Sequence, residues 1–213
     1  MSEIDLKKVK IIPSDKKHDL RQFSCKIQDL NDFLIEESYK QKEVMLNVTY
    51  LALYDEKIIG YFTLSSDSIK ISNLLGDYKK KFKDKDVYYK VFPAIKIGRF
   101  GIDKKFENKG LGKFLFHRIV ENVFLMSKQI GIRFITIDSY VSAYGFYKKM
   151  RCKDAIKQEK VKNKLKKFKR LVFQKKYKES ENITIFVFFD LYEFYHQTSK
   201  KVHTPPYYLE FLS

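Results

Sequence analysis

Two glycines one residue apart, Gly110 and Gly112, sit in the stretch FENKGLGKFLF (Phe106–Phe116), flanked by Lys109 and Lys113 and followed by an apolar run. Glycine in the first turn of a helix costs roughly 1 kcal/mol per residue relative to alanine, so something should offset it. A helix N-terminus has backbone N–H groups without partners and a partial positive charge. Residues without side chains at that point let a phosphate reach those donors. Asn108 accepts a left-handed backbone more readily than most residues, and Lys109 and Lys113 either add charge or face solvent. The chemistry is phosphate or diphosphate binding, with a purely structural turn as the alternative. Neither familiar loop fits: Rossmann dinucleotide binding wants a third glycine, and the nucleoside triphosphate loop wants Ser or Thr where Phe114 follows Gly112-Lys113.

The elements around this loop follow from periodicity. AIKIGRFGI, introduced by Pro93, reads as a strand running into the glycines. Gly112–Lys128 has apolar residues at Phe114, Leu115, Ile119, Val120, Val123 and Phe124, a helical spacing that Gly131 ends. Arg133–Asp138 (RFITID) is a strand, Ser142–Met150 a short helix, and Ile183–Leu191 (ITIFVFFDL) an interior strand. Upstream lie a short strand at Val9–Ile12, a helix over Ile27–Lys40 and a hairpin, VTYLALY and IIGYFTL, separated by Asp55-Glu56-Lys57. Residues 67–92 read as a long loop or short helix. Strand, glycine loop, helix, strand, helix is a βαβ-type unit within a mixed sheet, an α/β (α+β) fold class.

The chain of 213 residues, 44% of them hydrophobic, suits one ordinary domain with a sizeable core. No apolar run approaches the ~20 residues of a spanning helix, and MSEIDLKKVK lacks the apolar core of a secretory signal. Cys25 and Cys152 have no metal-ligand spacing, so no metal is expected and a reducing cytoplasm is the simplest setting.

Three ordered segments carry a family resemblance. GRFGIDKKFENKGLG (Gly98–Gly112) resembles the acetyl-coenzyme A motif of the GNAT N-acetyltransferases: a strand, then Gln/Arg-x-x-Gly-x-Gly/Ala, then a helix, with Gly110 and Gly112 on the two small positions. GFYKK (Gly145–Lys149) resembles the FYxK segment after the next strand. Phe23–Leu64, with LNDFL, TYLALY and IIGYFTLS, is similar to the N-terminal region of a branch that includes toxins acting on aminoacyl-tRNA. The resemblance implies a mostly antiparallel sheet flanked by helices, a single domain over residues 1–191 and a tail over 192–213. It also implies acetyl-CoA held by Phe100, Gly101, Ile102, Asn108, Lys109, Gly110, Leu111, Gly112 and Lys113. Gly101 would allow close approach of the pantetheine, or would merely mark an edge or bulged strand. Two departures stand out: Glu107 occupies the Gln/Arg position, and Arg151-Cys152 replaces the usual Gly-Phe.

By its match to FYxK, Tyr147 becomes the general acid. A phenol of pKa near 10 stays protonated at neutral pH and can donate to a departing thiolate of pKa ~8.5. Tyr144 is the backup. No general base stands out: Asp103 and Asp138 end strands, where acids more often form turns, and His117 lies mid-helix. An α-amine of pKa ~7.8 is about 30% neutral at pH 7.4 against about 0.1% for a lysine, so an α-amino acceptor needs less help.

The net charge of +17 is concentrated in KQEKVKNKLKKFKRLVFQKKYK (157–178), which has eleven basic residues against the single acid Glu159. Val161, Leu165, Phe168 and Val172 recur at helical spacing, so part of this basic insertion is an amphipathic helix before the last core strand. Lys162, Lys164, Lys166, Lys167, Lys169 and Arg170, interleaved with Phe168, Phe173 and Tyr177, suit phosphates and stacking. An anionic membrane surface and a solvated segment without a partner are the alternatives. With the toxin-like N-terminal region, the first reading points to tRNA as carrier of the acetyl acceptor and to an antitoxin as partner. Small-molecule or protein amines, or a non-catalytic nucleic-acid binder on the same scaffold, are the competing functions. The aromatics of the tail can dock on the body or on a second copy.

Overall fold

The structure, a computed structural model, describes residues 4–74, 77–174 and 183–199. Its centre is a seven-stranded sheet of β1 (Lys10–Pro13), β2 (Val48–Tyr54), β3 (Lys57–Lys70), β4 (Val91–Ile102), β5 (Phe134–Tyr140), β6 (Lys153–Asp154) and β7 (Thr184–Asp190). The spatial order is β1-β2-β3-β4-β5-β7-β6, and every neighbouring pair is antiparallel except β4–β5. This is the mixed, mostly antiparallel sheet expected.

The β2–β3 hairpin closes through Asp55 and Glu56 alone, both at positive φ, while Lys57 pairs with Tyr54 inside the ladder. That backbone matches the twist of the flanking strands. The long loop or short helix expected over 67–92 is corrected at both ends. Asp67–Lys70 continue β3 and pair with Val91–Ala94, so β4 begins before Pro93. Between them lies α3 (Tyr78–Lys83), whose Tyr78 and Phe82 join Phe92, Phe134 and Phe188 in an aromatic cluster. This is the short helix that the sequence offered as one of two readings, and only its aromatic docking is new.

Helices cover both faces. On one, α4 (Leu111–Met126) buries Leu115, Phe116, Ile119, Val120 and Val123 at helical spacing, four of them against Ile95, Ile97, Ile135 and Ile137. On the other, α1 (Gln28–Asp32), a π-helical stretch (Phe33–Glu37) and α2 (Ser38–Glu43) place Leu30, Phe33 and Leu34 over Leu51, Leu53 and Tyr61. After β5 come α5 (Tyr144–Lys149), the short β6 and the basic α6 (Gln158–Phe173). Leu191–Ser199 form α7, with Tyr195 stacked on Phe124 and Phe194 packed against Phe189, so these tail aromatics dock on the body.

Candidate active site

The parallel strands β4 and β5 pair only from Ala94–Phe134 to Ile97–Ile137, and beyond that they diverge. The cause is a bulge in β4, where Gly98 and Arg99 together oppose Thr63. Arg99 N–H donates to Thr63 Oγ1 at 2.8 Å, and a Cβ on Gly98 would stand 2.9 Å from that oxygen. Past the bulge, Asp103 N–H donates to Ile59 C=O at 2.9 Å. Alternation along the antiparallel ladder then turns Gly101 N–H toward β3 and the N–H groups of Phe100 and Ile102 into the gap toward β5. Gly101 has its own explanation. A Cβ there would lie 2.8 Å from the Tyr61 ring and 3.1 Å from Phe23, so the glycine admits the protein's own aromatics.

At the end of β4 the buried Asp103 organises the loop, accepting from Ser24 N–H at 3.0 Å and Lys105 N–H at 2.9 Å. It is a turn former, not a base. Asn108 (φ 59°) and Gly110 (φ 77°) both take the left-handed conformation, and α4 starts at once, with Phe114 N–H donating to Gly110 C=O. No side chain caps the helix, which leaves the N–H groups of Leu111, Gly112 and Lys113 open. A Cβ on Gly110 would meet nothing within 4 Å, so conformation alone demands that glycine. One on Gly112 would touch the Phe146 ring at 3.5 Å, an ordinary contact. Lys109 lies over the Phe106 ring, Lys113 is exposed, and the carboxylate of Glu107 is drawn into an ion pair with Lys26.

Helix α5 lies across this region. Phe146 stacks 5.9 Å from Phe100 and faces Gly112, while Tyr147 is buried edge-on against Phe116 at 6.1 Å. Burial, with Cys152 adjacent, pushes the Tyr147 phenol above its ordinary pKa. Its hydroxyl has no hydrogen-bond partner among the described residues. Tyr144, by contrast, donates to Asp154 Oδ1 at 2.9 Å and is already committed. Arg151 takes φ 65° and ends α5 as a glycine would, with its N–H on Lys148 C=O, and Cys152 fills the buried position that follows. The Arg-Cys departure is therefore absorbed by the same backbone turn.

On the α1–α2 face of the gap, the sequence reading missed a cleft of about 300 Å³ at the β4 bulge, lined by Phe33, Asn47, Thr63, Ser65, Gly98 and Arg99 among others. The Arg99 guanidinium lies 5.1 Å from the Phe33 ring centre and 3.7 Å from Asp29, whose carboxylate also accepts the Tyr140 hydroxyl at 2.5 Å. Asp138 is paired with Lys96 at 2.7 Å. Arg99 Nε and Asn47 Oδ1 are buried without partners. Only the bulge brings these residues together, and no motif announces it.

In α6, Val161 is buried and Leu165 and Phe168 pack on the core, whereas Lys162, Lys166, Lys167, Lys169 and Arg170 are exposed. Lys164 differs from the expected set by donating to Thr184 C=O. Val172 and Phe173 are exposed, and Tyr177 lies outside the described residues. Among the described residues, no group of His, Cys, Asp or Glu is arranged to hold a metal, and no helix is long and apolar enough to cross a membrane.

No protein-family model matches the chain. A tRNA-acetylating toxin of Mycobacterium tuberculosis (strain ATCC 25618 / H37Rv) is 22% identical over 130 residues, 61% of this chain and 75% of that protein. The solved structure of AtaT complexed with acetyl-methionyl-tRNAfMet is similar with a TM-score of 0.68 at 21% identity, covering 89% of this chain and 99% of that one. A tyrosine-to-phenylalanine mutant of AtaT, bound to the C-terminus of the antitoxin AtaR and acetyl-CoA, gives 0.64 at 19% identity over 90% and 98%. The fold of this chain is that of these toxins, as its resemblance to the acetyltransferases implied.

Proposed function

We propose that the chain is a toxin-like N-acetyltransferase that moves the acetyl group of acetyl-CoA onto the α-amine of aminoacyl-tRNA. One observation carries this reading. Outward N–H groups on Phe100 and Ile102 open on the gap in the sheet beside an uncapped α4 N-terminus, with Tyr147 of α5 packed on α4, in a chain that shares its fold with AtaT over 89% of its length.

In this reading the N–H groups of Phe100 and Ile102 hold the pantetheine arm as an added strand would be held, and polarise the thioester carbonyl. Well-placed donors of this kind are worth roughly 2.7–4 kcal/mol in other acyl-transfer sites. The N–H groups of Leu111, Gly112 and Lys113 take the diphosphate, with Asn108 and Gly110 shaping the turn and Lys109 and Lys113 adding charge. The thioester supplies the acyl group; its carbon bonds to the amine nitrogen as the carbon–sulfur bond breaks. Tyr147 gives its proton to the departing sulfur, and the new ammonium loses one to water. An α-amine enters this reaction about 30% neutral at pH 7.4, against about 0.1% for a lysine.

The exposed cations of α6 (Lys162, Lys166, Lys167, Lys169 and Arg170) take the tRNA backbone, and the cytoplasm, where charged tRNA is found, is the place of action. Lys164 serves the fold by its bond to Thr184. An antitoxin is the matching partner, as AtaR is for AtaT. Incubation with labelled acetyl-CoA and a panel of charged tRNAs, peptides and small amines tests the reading. Label on the aminoacyl end of tRNA supports it; label confined to peptides or small amines overturns it. No affinity for acetyl-CoA in calorimetry would leave a nucleic-acid binder on an acetyltransferase scaffold.

A further inference from the structure

The turn that joins α3 to β4 presents Tyr88 and Tyr89 side by side to solvent, 71% and 72% exposed. The backbone beneath them is tightly made. Lys85 N–H and Val87 N–H both donate to Phe82 C=O, Asp86 takes φ 54°, and Ile71 N–H donates to Lys90 C=O. Val87 packs against the aromatic cluster under α3, and the Tyr89 ring stands edge-on to Phe92 at 6.4 Å. The Tyr88 hydroxyl lies 3.4 Å from Asp86. Two rings are thus held out from the body on a fixed turn. The same stretch, residues 78–90, carries six lysines against Asp84 and Asp86. Lys81 is engaged by Glu193 and Lys85 by the Tyr192 hydroxyl. Lys80, Lys83 and Lys90 are exposed and enter no ion pair among the described residues.

This platform shares a face of the sheet with the cleft at the β4 bulge. Phe92, Ala94 and Lys96 alternate along that face of β4, and Ser65, paired with Lys96, lines the cleft. From Val91 to Gly98 the distance is about 23 Å at the usual strand rise. The strip between is mixed in charge, with Asp67 and Lys96 both half-buried, so a grip on phosphate belongs to the platform and not to the strip. Exposed rings beside unpaired cations suit unpaired nucleotides, whose bases stack on aromatic faces while lysines follow the backbone. We propose that Tyr88 and Tyr89, flanked by Lys80, Lys83 and Lys90, form a second RNA-binding surface, which stacks unpaired nucleotides of the tRNA near its aminoacyl end. The inference rests on the aminoacyl-tRNA reading and adds a surface to it. Helix α6 is a separate one, since its Leu165 and Phe168 pack with Ile95 and Ile97 on the α4 side of the sheet.

The test is equilibrium binding of unfractionated, deacylated tRNA to the full chain and three variants over a range of salt. The variants are Tyr88→Ala with Tyr89→Ala, Tyr88→Phe with Tyr89→Phe, and Lys80→Gln with Lys83→Gln and Lys90→Gln. Losing the rings should weaken binding about tenfold with the parental slope of log K against log salt, because stacking releases no counterions. Phenylalanine keeps the rings and should hold affinity within about twofold. Losing the lysines should flatten the slope by about 2. In transfer assays the Ala pair should raise KM for aminoacyl-tRNA by the same factor as its binding loss, with kcat and acetyl-CoA affinity unchanged. Should the Ala pair fail to fold, Tyr88→Ala alone, which leaves the Tyr89–Phe92 contact in place, is expected to weaken binding several-fold. Parental affinity in the Ala variants, or an equal loss in the Phe pair, overturns the stacking platform and leaves α6 as the tRNA surface. A parent chain that binds no tRNA overturns the aminoacyl-tRNA reading itself.

Discussion

Tyr147 and Phe116 meet edge to face, their ring centres 6.1 Å apart and their planes at 68°, which fixes α5 against α4 beside the splayed strands. The contact uses the ring and not the hydroxyl. Tyr147→Phe should therefore hold stability within about 1 kcal/mol of the parent and keep acetyl-CoA affinity. Transfer should slow by about 10²-fold or more if the phenol is the proton donor. Melting curves and single-turnover kinetics on one preparation check both halves; unchanged turnover removes Tyr147 from the mechanism.

Burial raises the Tyr147 phenol above its ordinary pKa and pushes the Cys152 thiol up to about 12. Both groups stay neutral in the fold while the unfolded chain ionises, at about 10 for a phenol and about 8.5 for a thiol. Their stabilisation is complete below those values and is lost as pH rises through the folded ones. Tyr147→Phe should accordingly lose less stability than the parent between pH 9 and 11, measured by denaturant titration. Parallel losses in the two proteins would contradict the shift.

The two glycines of the loop should respond differently to alanine. Gly110→Ala forces a side chain into the left-handed region at φ 77° and should cost about 1–2 kcal/mol with no steric clash. Gly112→Ala sits in helical backbone with room for a methyl group beside Phe146, and should gain up to about 1 kcal/mol from helix propensity. Acetyl-CoA affinity should nevertheless fall in both. Calorimetry beside thermal melts separates the two effects, and a Gly112→Ala chain that binds normally would remove that position from the diphosphate site.

The Lys26–Glu107 pair sets a smaller effect. Glu107→Gln leaves Lys26 without its partner, next to the loop that would hold the diphosphate. Acetyl-CoA should then bind about two- to fivefold tighter at low salt, the scale of one exposed ion pair, and the gain should shrink as salt rises. Weaker binding would mean that Glu107 itself supports the loop.

Neutralising the exposed cations of α6 tests the tRNA surface. Lys162→Gln with Lys166→Gln and Lys169→Gln should leave the melting curve in place, because Val161, Leu165 and Phe168 make the core contacts. Affinity for tRNA should drop, and the slope of log K against log salt should fall by about 0.7–0.9 per lost contact. An unaltered slope would leave the basic face without its proposed partner.

Much of the frame was legible from local pattern. The spacing of Leu115, Ile119, Val120 and Val123 revealed α4, and Asn108 marked a left-handed backbone at its entry, because both signals lie within a few residues. Tyr147 was legible only through its neighbours in FYKK. The extension of β3 to Lys70 and of β4 back to Val91 was not, since Ser65, Ser66, Asp67 and Ser68 read as loop residues and their pairing partners lie more than twenty residues away. Arg99 escaped notice for a different reason. Its place depends on a one-residue bulge opposite Thr63 and on Asp29 and Asn47, distant in sequence, and no periodicity records such a meeting.

The short pairing of β4 with β5 divides the sheet into unequal halves, β1–β4 and β5–β7–β6, stitched by four residue pairs at one end of an open seam. A ligand lying along Phe100 and Ile102 would close that seam from the other end. Substrate would then serve as mortar as well as reactant, and the loaded protein would resist shear between its halves in a way the empty one does not.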